Sequence, residues 1–204
     1  MNDAAENFDE DFRDHPPTLK TISRKIAKLH HGHLPRCAIT DERGVVVGQT
    51  TISNAYNYHK IRLTVEVILL NGRKEILVQR RSPDCLDDPL FWDLAAAGHV
   101  AFGESPRHAA RRELREETGL DIANLKKIGE NLLVIERQPW GKLQTYTHVF
   151  AARVAGEAEK IHEKLLEKDE VANAKWVSRK AFNELAPLEL YALFAVECLE
   201  KTEV

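Results

Sequence analysis

The chain has 204 residues, 43% of them hydrophobic, and a formal net charge of −3 at pH 7. This length predicts one domain with a sizeable core and an N-terminal extension, and the charge argues against a general nucleic-acid-binding protein, whose phosphate contacts need a basic surface. Three cysteines without metal-ligand spacing, no signal peptide and no apolar run of about 20 residues indicate a cytoplasmic protein with reduced thiols and no membrane contact.

Residues 1–35 are predicted to form an acidic leader and a helix outside the main domain. Residues 1–17 are rich in Asp, Glu and Asn, a composition typical of a flexible segment. Residues 18–31 show helical periodicity, which predicts a helix that docks on the domain or on a second subunit. The apolar positions of this helix are Leu19, Ile22, Ile26 and Leu29.

Residues 36–60 are predicted to form a β-hairpin that leads into the main domain, residues 61–204. The turn residues Asp41–Gly44 are followed by Val45–Val47, a β-branched run typical of a strand. In the main domain, Asn71-Gly72 is a strong hairpin signal. Strands are predicted at Ile61–Leu70, Glu75–Gln79, Phe91–Ala97, Leu125–Glu136, Leu143–Val154 and Ala174–Val177.

A helix between the third and fourth of these strands has clear capping signals. Ser105 supplies a hydroxyl cap, Pro106 stands at the first helical position, and Gly119 suits the left-handed residue that ends a helix. Ser178 is predicted to cap another helix, and a terminal helix is predicted over Pro187–Leu199. Because the crossover helix and the terminal helix would cover opposite faces of the strands, the sequence predicts an α/β fold, an α/β/α sandwich around a mixed β-sheet.

Three carboxylates share one face of the helix that Ser105 caps. Glu113, Glu116 and Glu117 stand at i, i+3 and i+4. At roughly 4 Å each pair repels by about 1 kcal/mol in water and by about 4 kcal/mol in a partly shielded site. Arg112 can pair with Glu116, but one guanidinium cannot neutralise three carboxylates. A solvated helix face is one interpretation; the other is a site for Mg²⁺ or Mn²⁺, hard cations that prefer oxygen ligands.

The stretch from Gly98 to Leu120, GHVAFGESPRHAARRELREETGL, resembles the Nudix box at each of its characteristic positions. The resemblance implies a Nudix-type α/β/α sandwich and a Mg²⁺- or Mn²⁺-dependent hydrolase. The implied reaction is cleavage of a nucleoside diphosphate linked to another group, and the implied partner is therefore a small-molecule diphosphate substrate. The resemblance also favours a homodimer, an oligomeric state that members of this family often adopt.

The same resemblance implies roles for the residues of the box. Glu113 and Glu117 are expected to be the main metal ligands. Glu116 is expected to be a further ligand or the base that activates water, with Arg112 as its orienting partner. The carbonyl of Gly98 is expected to face the metal, because a glycine lets the backbone approach closely.

Four further residues are candidates outside the box. Arg80 and Arg81 end a predicted strand, where arginines of this family often meet substrate phosphates; a surface ion pair is the alternative. Trp140, in a polar turn, is a candidate for stacking on a base. Glu170 lies in an acidic loop and is a candidate second catalytic base, with a solvated loop charge as the alternative.

The segments LVQRR and FWDLAAAGHV are similar to the isopentenyl-diphosphate isomerase branch of the same superfamily. Those isomerases carry a catalytic cysteine immediately before the Gly-His pair, where this chain has Ala97, and a methyl group cannot move a proton. Isomerases of this branch also usually have a degraded box, whereas this box is complete. The alanine in place of the cysteine and the complete box both favour a hydrolase over an isomerase. The alternatives are an isomerase-like enzyme and a catalytically silent protein that binds nucleotides or metal.

Overall fold

The computed structural model describes residues 36–85, 88–137, 141–165 and 171–202. In this part of the chain, nine strands form one mixed sheet. The strands are β1 (Arg36–Thr40), β2 (Val46–Thr51), β3 (Arg62–Leu70), β4 (Ile76–Arg81), β5 (Trp92–Asp93), β6 (Ala96–His99), β7 (Lys126–Arg137), β8 (Gly141–Arg153) and β9 (Val171–Val177). The helices are α1 (Ile52–Asn57), α2 (Pro106–Thr118), α3 (Ile161–Leu165), α4 (Arg179–Phe182) and α5 (Leu190–Glu200), and a 3₁₀ turn spans Gly156–Lys160.

Strand β3 organises the sheet. All nine of its residues are buried, as expected for a strand covered on both faces. One edge of β3 pairs with β8 in parallel along its whole length, and the other edge pairs in succession with β1, β6 and β4, each antiparallel. The predicted mixed sheet is confirmed.

The single strand expected over Phe91–Ala97 is wrong, because this segment forms two short strands. Strand β5 pairs with β4, whereas β6 pairs with β3. The chain changes partner at Leu94 and Ala95, two buried residues that pack into the clusters on opposite faces of the sheet. This change of partner brings Gly98 opposite Val65 of the central strand.

Helices α2 and α5 cover opposite faces of the sheet, which confirms the predicted α/β/α sandwich. On one face, α2 contributes Ala109, Ala110 and Leu114 to a cluster that also contains Val65 and Leu77. On the other face, α5 packs through a second apolar group. Members of that group include Ala192, Ala195 and Val196 from the helix and Ile68, Val78 and Trp92 from the sheet.

The predicted caps of α2 are confirmed. The Ser105 hydroxyl accepts a hydrogen bond from the His108 N–H (3.3 Å), and Gly119 has a left-handed φ of 76°. The hydroxyl of Ser178 caps α4 in the same way. Helix α5 begins later than predicted, because Glu189 is extended and its N–H donates to the Trp92 carbonyl (2.9 Å).

Strands β1 and β2 form an antiparallel hairpin with its turn at residues 41–44, but the predicted lead-in of residues 36–60 also contains helix α1, which the sequence analysis did not predict. The predicted leader and helix of residues 1–35 lie outside the described residues. Cys37, Cys85 and Cys198 form no disulfide within the part of the chain that the structure describes. In the described part of the chain, no helix has the length and apolar character that crossing a membrane requires.

Candidate functional site: a carboxylate cluster on helix α2

The Glu113 carboxylate of α2 lies against Gly98 of β6. A Cβ atom built on Gly98 would lie 2.1 Å from the Glu113 Cδ and 2.2 and 2.6 Å from its two oxygens. Real Cβ atoms essentially never approach other atoms so closely. Glycine at this position therefore allows the Glu113 carboxylate to lie directly against the backbone of β6.

Glu117 is held by donors from two different strands. Its Oε1 accepts a hydrogen bond from the backbone N–H of Ala97 on β6 (3.1 Å), and its Oε2 accepts one from the Gln79 side chain on β4 (2.9 Å). Both donors are uncharged. They orient the carboxylate without cancelling its charge.

Arg112 connects the remaining carboxylates. Its guanidinium donates to both oxygens of Glu104 (3.1 and 3.0 Å), to Glu113 (2.7 Å) and to Glu116 (3.3 Å), and also to the His99 carbonyl (2.9 Å). The expected pairing of Arg112 with Glu116 is therefore present. The Glu116 side chain remains 55% exposed, whereas that of Glu113 is 14% exposed. Glu116 is thus the carboxylate of the cluster that solvent reaches most easily.

Burial perturbs the two less exposed carboxylates of α2. Desolvation raises the pKa of Glu113 to about 6, although the charge of Arg112 opposes the shift. Desolvation raises the pKa of Glu117 to about 8, against the effect of its two hydrogen bonds. At neutral pH and without a cation, the ionised form of Glu117 is therefore unfavourable, whereas Glu113, with its pKa below 7, is mostly ionised.

The donor set of this cluster fits a hard divalent cation. All the candidate side-chain ligands are carboxylate oxygens, which Mg²⁺ and Mn²⁺ prefer, and Gly98 leaves room for close approach at the backbone of β6. Among the described residues, no three acidic, histidine or cysteine side chains already surround a common point as a finished metal site.

A NUDIX domain model matches residues 60–194, which include the whole cluster and most of the sheet. The chain belongs to the Nudix family. The predicted resemblance of residues 98–120 to the Nudix box is thereby confirmed.

Curated Nudix proteins and isopentenyl-diphosphate isomerases are both similar to the chain. An uncharacterized Nudix hydrolase of Listeria innocua is 41% identical over 63 residues, which are 31% of this chain and only 37% of that protein. A putative 8-oxo-dGTP diphosphatase of Bacillus subtilis is 38% identical over 112 residues, 55% of this chain and 63% of that protein. An isopentenyl-diphosphate Delta-isomerase of Enterobacter is 29% identical over 141 residues, 68% of this chain and 74% of that protein.

Solved structures support the Nudix fold. A Deinococcus radiodurans protein, DR0079, superposes with a TM-score of 0.58 at 21% identity, covering 80% of this chain and 98% of that one. A MutT protein from Methanosarcina mazei superposes with a TM-score of 0.55 at 20% identity, covering 71% of this chain and 96% of that one. At this identity the likeness shows the fold alone.

The structure brings the predicted residues of the Nudix box together, whereas Arg80 and Arg81, outside the box, contact other groups. Arg80 donates through Nε to the Leu90 carbonyl (2.9 Å), and an Arg81 nitrogen lies 3.5 Å from an oxygen of the buried Asp93. The candidates Trp140 and Glu170 lie outside the described residues.

Sequence reasoning missed three buried polar groups near the Nudix box. Gln79 contacts Glu117, and Asp93 lies opposite Gln79 on the neighbouring strand β5. Burial raises the pKa of Asp93 to about 6, and the carboxylate of Glu189 adds to the shift. Glu66 is also buried, and its Oε2 has no hydrogen-bond partner in the structure as described. A polar residue within an apolar strand, as in ILVQ and WDL, is the signal that could have found the first two.

Proposed function

We propose that this Nudix protein is a Mg²⁺- or Mn²⁺-dependent pyrophosphohydrolase that cleaves the diphosphate linkage of a small nucleoside-diphosphate-type substrate. The observation that carries the proposal is the arrangement of Glu113 and Glu117. One carboxylate lies against Gly98, and the other is oriented by two neutral donors. Two carboxylates on one face of α2 in a partly buried site favour a divalent cation as their partner.

The chain's own residues have distinct tasks in this proposal. Glu113 and Glu117, with the Gly98 carbonyl, would hold the ion, and Glu116 would supply a further ligand. When bound, the ion supplies Lewis-acid stabilisation of the charge that develops on the diphosphate and lowers the pKa of water. The exposed carboxylate of Glu116 is the group best placed to accept a proton from the attacking water. Arg112 positions this carboxylate through their hydrogen bond.

Substrate contacts outside the box are part of the same proposal. Arg80 and Arg81 lie at the end of β4, on the strand whose Gln79 reaches Glu117. In this proposal they meet substrate phosphates, Trp140 stacks on the base and Glu170 serves as a second base. The substrate is a small molecule, and neither nucleic acid nor a membrane is part of the reaction. The protein acts in the cytoplasm, as a homodimer assembled with the help of residues 1–35.

Product analysis with a panel of diphosphates tests the proposed reaction. The wild-type protein is incubated with Mg²⁺ and nucleoside di- and triphosphates, 8-oxo-dGTP, ADP-ribose, NADH and isopentenyl diphosphate, and products are resolved by mass. Glu117→Gln keeps the shape of the side chain but removes its charge. Glu157→Gln is the matched control, because Glu157 is 89% exposed and pairs with Lys160.

Cleavage by the wild type and the control, with loss in Glu117→Gln, is the expected result. Isomerisation of isopentenyl diphosphate without phosphate-containing cleavage products would instead identify an isomerase. Similarity to an isopentenyl-diphosphate Delta-isomerase supports this second candidate function. The side chain of Ala97, however, offers no proton donor or acceptor. Tight nucleotide binding without any turnover, in folded protein, would favour a catalytically silent binding protein.

A further inference from the structure

Gln79 is a buried polar side chain within an apolar strand. It follows Ile76, Leu77 and Val78, all fully buried, and is itself only 8% exposed. The backbone of Gln79 is fixed on both sides, because it lies opposite Asp93 of β5 and Ala174 of β9. A buried amide needs a hydrogen-bond partner, and its side-chain nitrogen finds one in Glu117 Oε2 at 2.9 Å.

This hydrogen bond differs in kind from those that Arg112 makes with the other carboxylates. The five described contacts of the Arg112 guanidinium go to Glu104, Glu113, Glu116 and the His99 carbonyl. Glu117 is instead oriented by neutral donors, the Gln79 amide and the Ala97 N–H. A neutral donor fixes the direction of a carboxylate yet leaves its full charge for a cation. A lysine or arginine at the same place would compete with that cation.

We infer that Gln79 is a positioning residue for the divalent cation, acting through Glu117. It holds one carboxylate oxygen while the Ala97 N–H holds the other, so the remaining lone pairs have a fixed direction before the ion arrives. Partners that orient metal ligands in this way typically account for a 10- to 100-fold difference in metal affinity. This inference rests on the proposed function, because it assumes that Glu117 binds metal.

Binding of Mn²⁺ alone to the full chain tests this role. The dissociation constant is measured by electron paramagnetic resonance of free Mn²⁺, with no substrate present. Gln79→Met keeps the length of the side chain, suits the apolar strand and removes the donor. Gln144→Met is the matched control, because the Gln144 amide donates to the His59 carbonyl (2.9 Å) at a site away from the carboxylate cluster.

Gln79→Met is expected to weaken Mn²⁺ binding about 10-fold, whereas the control is expected to bind like the wild type. In a protein that already carries Glu117→Gln, Gln79→Met should not change the Mn²⁺ affinity further, because Gln79 acts on the metal through the Glu117 carboxylate. Gln79→Met should change the substrate KM, measured at saturating Mn²⁺, by a smaller factor than it changes the dissociation constant for Mn²⁺. If Gln79 had only a structural role, Gln79→Met would lower the melting temperature of the metal-free protein, and its effect on Mn²⁺ affinity would not depend on Glu117. Should Gln79→Met fail to fold, Gln79→Asn, whose shorter amide cannot span the same distance, is measured in its place.

The outcomes separate the two proposals. A wild-type protein that neither binds Mn²⁺ nor hydrolyses any diphosphate refutes the proposed function. A wild type that does both, with unchanged Mn²⁺ affinity in Gln79→Met, overturns only the role of Gln79. An equal loss of affinity with and without the Glu117 carboxylate also overturns it, because Gln79 would then act by another route.

Discussion

Replacement of Gly98 by alanine should impair the site far more than it impairs the fold. The new Cβ would lie 2.1 Å from the Glu113 Cδ, whereas ordinary contacts begin at 3.4 Å. The carboxylate must therefore withdraw by about 1.3 Å, the difference between these two distances, because the backbone of Gly98 is held by its pairing with Val65. A misplacement of about 1 Å at a catalytic group can lower the rate about 100-fold.

The stability of the Gly98→Ala protein should change little, because the atoms in its way are the end of a flexible side chain. We expect a loss of roughly 1 kcal/mol, at the low end for an overpacked site, and a melting temperature lower by roughly 2–4 °C. The assays are kcat/KM on the substrate that the panel identifies, Mn²⁺ affinity, and thermal unfolding. Gly48→Ala is the control, since its Cβ would meet only Ile39, at an ordinary 3.7 Å. Wild-type kcat/KM and Mn²⁺ affinity in Gly98→Ala would refute the reasoning.

Three further predictions concern stability. Leu114→Ala should lower the free energy of unfolding by about 2–5 kcal/mol in urea titrations, because Leu114 is fully buried between α2 and the sheet. Ser105→Ala should lower it by about 1 kcal/mol through loss of the helix cap, again measured in urea, and Ser105→Asp should restore it. In EDTA, the free energy of unfolding should fall by roughly 3 kcal/mol from pH 5 to pH 8. The pKa of Glu117 is about 8 in the folded state, against an ordinary value of 4.5. Between these two values the folded state holds a proton that the unfolded chain has released, so a rising pH favours unfolding. A Glu117→Gln protein whose stability falls just as steeply would contradict the last prediction.

Helix α2 was predictable from sequence because its signals are local. Ser105, Pro106 and Gly119 mark its ends within the chain segment itself, and the spacing of the carboxylates follows from helical geometry. Arg112 and Glu116 lie one helical turn apart, so their contact also follows from helical geometry. Most of the strands, and with them the sandwich, followed from patterns of a few residues. These features need no knowledge of which strands are neighbours.

The contacts that orient the carboxylates could not be predicted, because they depend on the order of the strands. Gln79 and Glu117 are 38 residues apart, and Ala97 and Glu117 are 20 apart. The split of the expected strand Phe91–Ala97 has the same origin, since its two halves pair with different neighbours. Arg81 illustrates the limit for charged residues. The sequence left a phosphate contact and an ion pair open, and the position of the ion pair with Asp93 follows only from the pairing of β4 with β5.

Ala97 stands where the similar isomerases are expected to carry a cysteine, and it also orients Glu117. The backbone N–H at this position orients Glu117, and any residue except proline supplies that N–H. The hydrogen bond to Glu117 therefore does not require a particular side chain at this position. A cysteine there offers a proton-transfer group, whereas the methyl group of alanine offers none. Under the proposed function, the chemistry of the site therefore comes from the carboxylates of α2, and Ala97 contributes its backbone N–H.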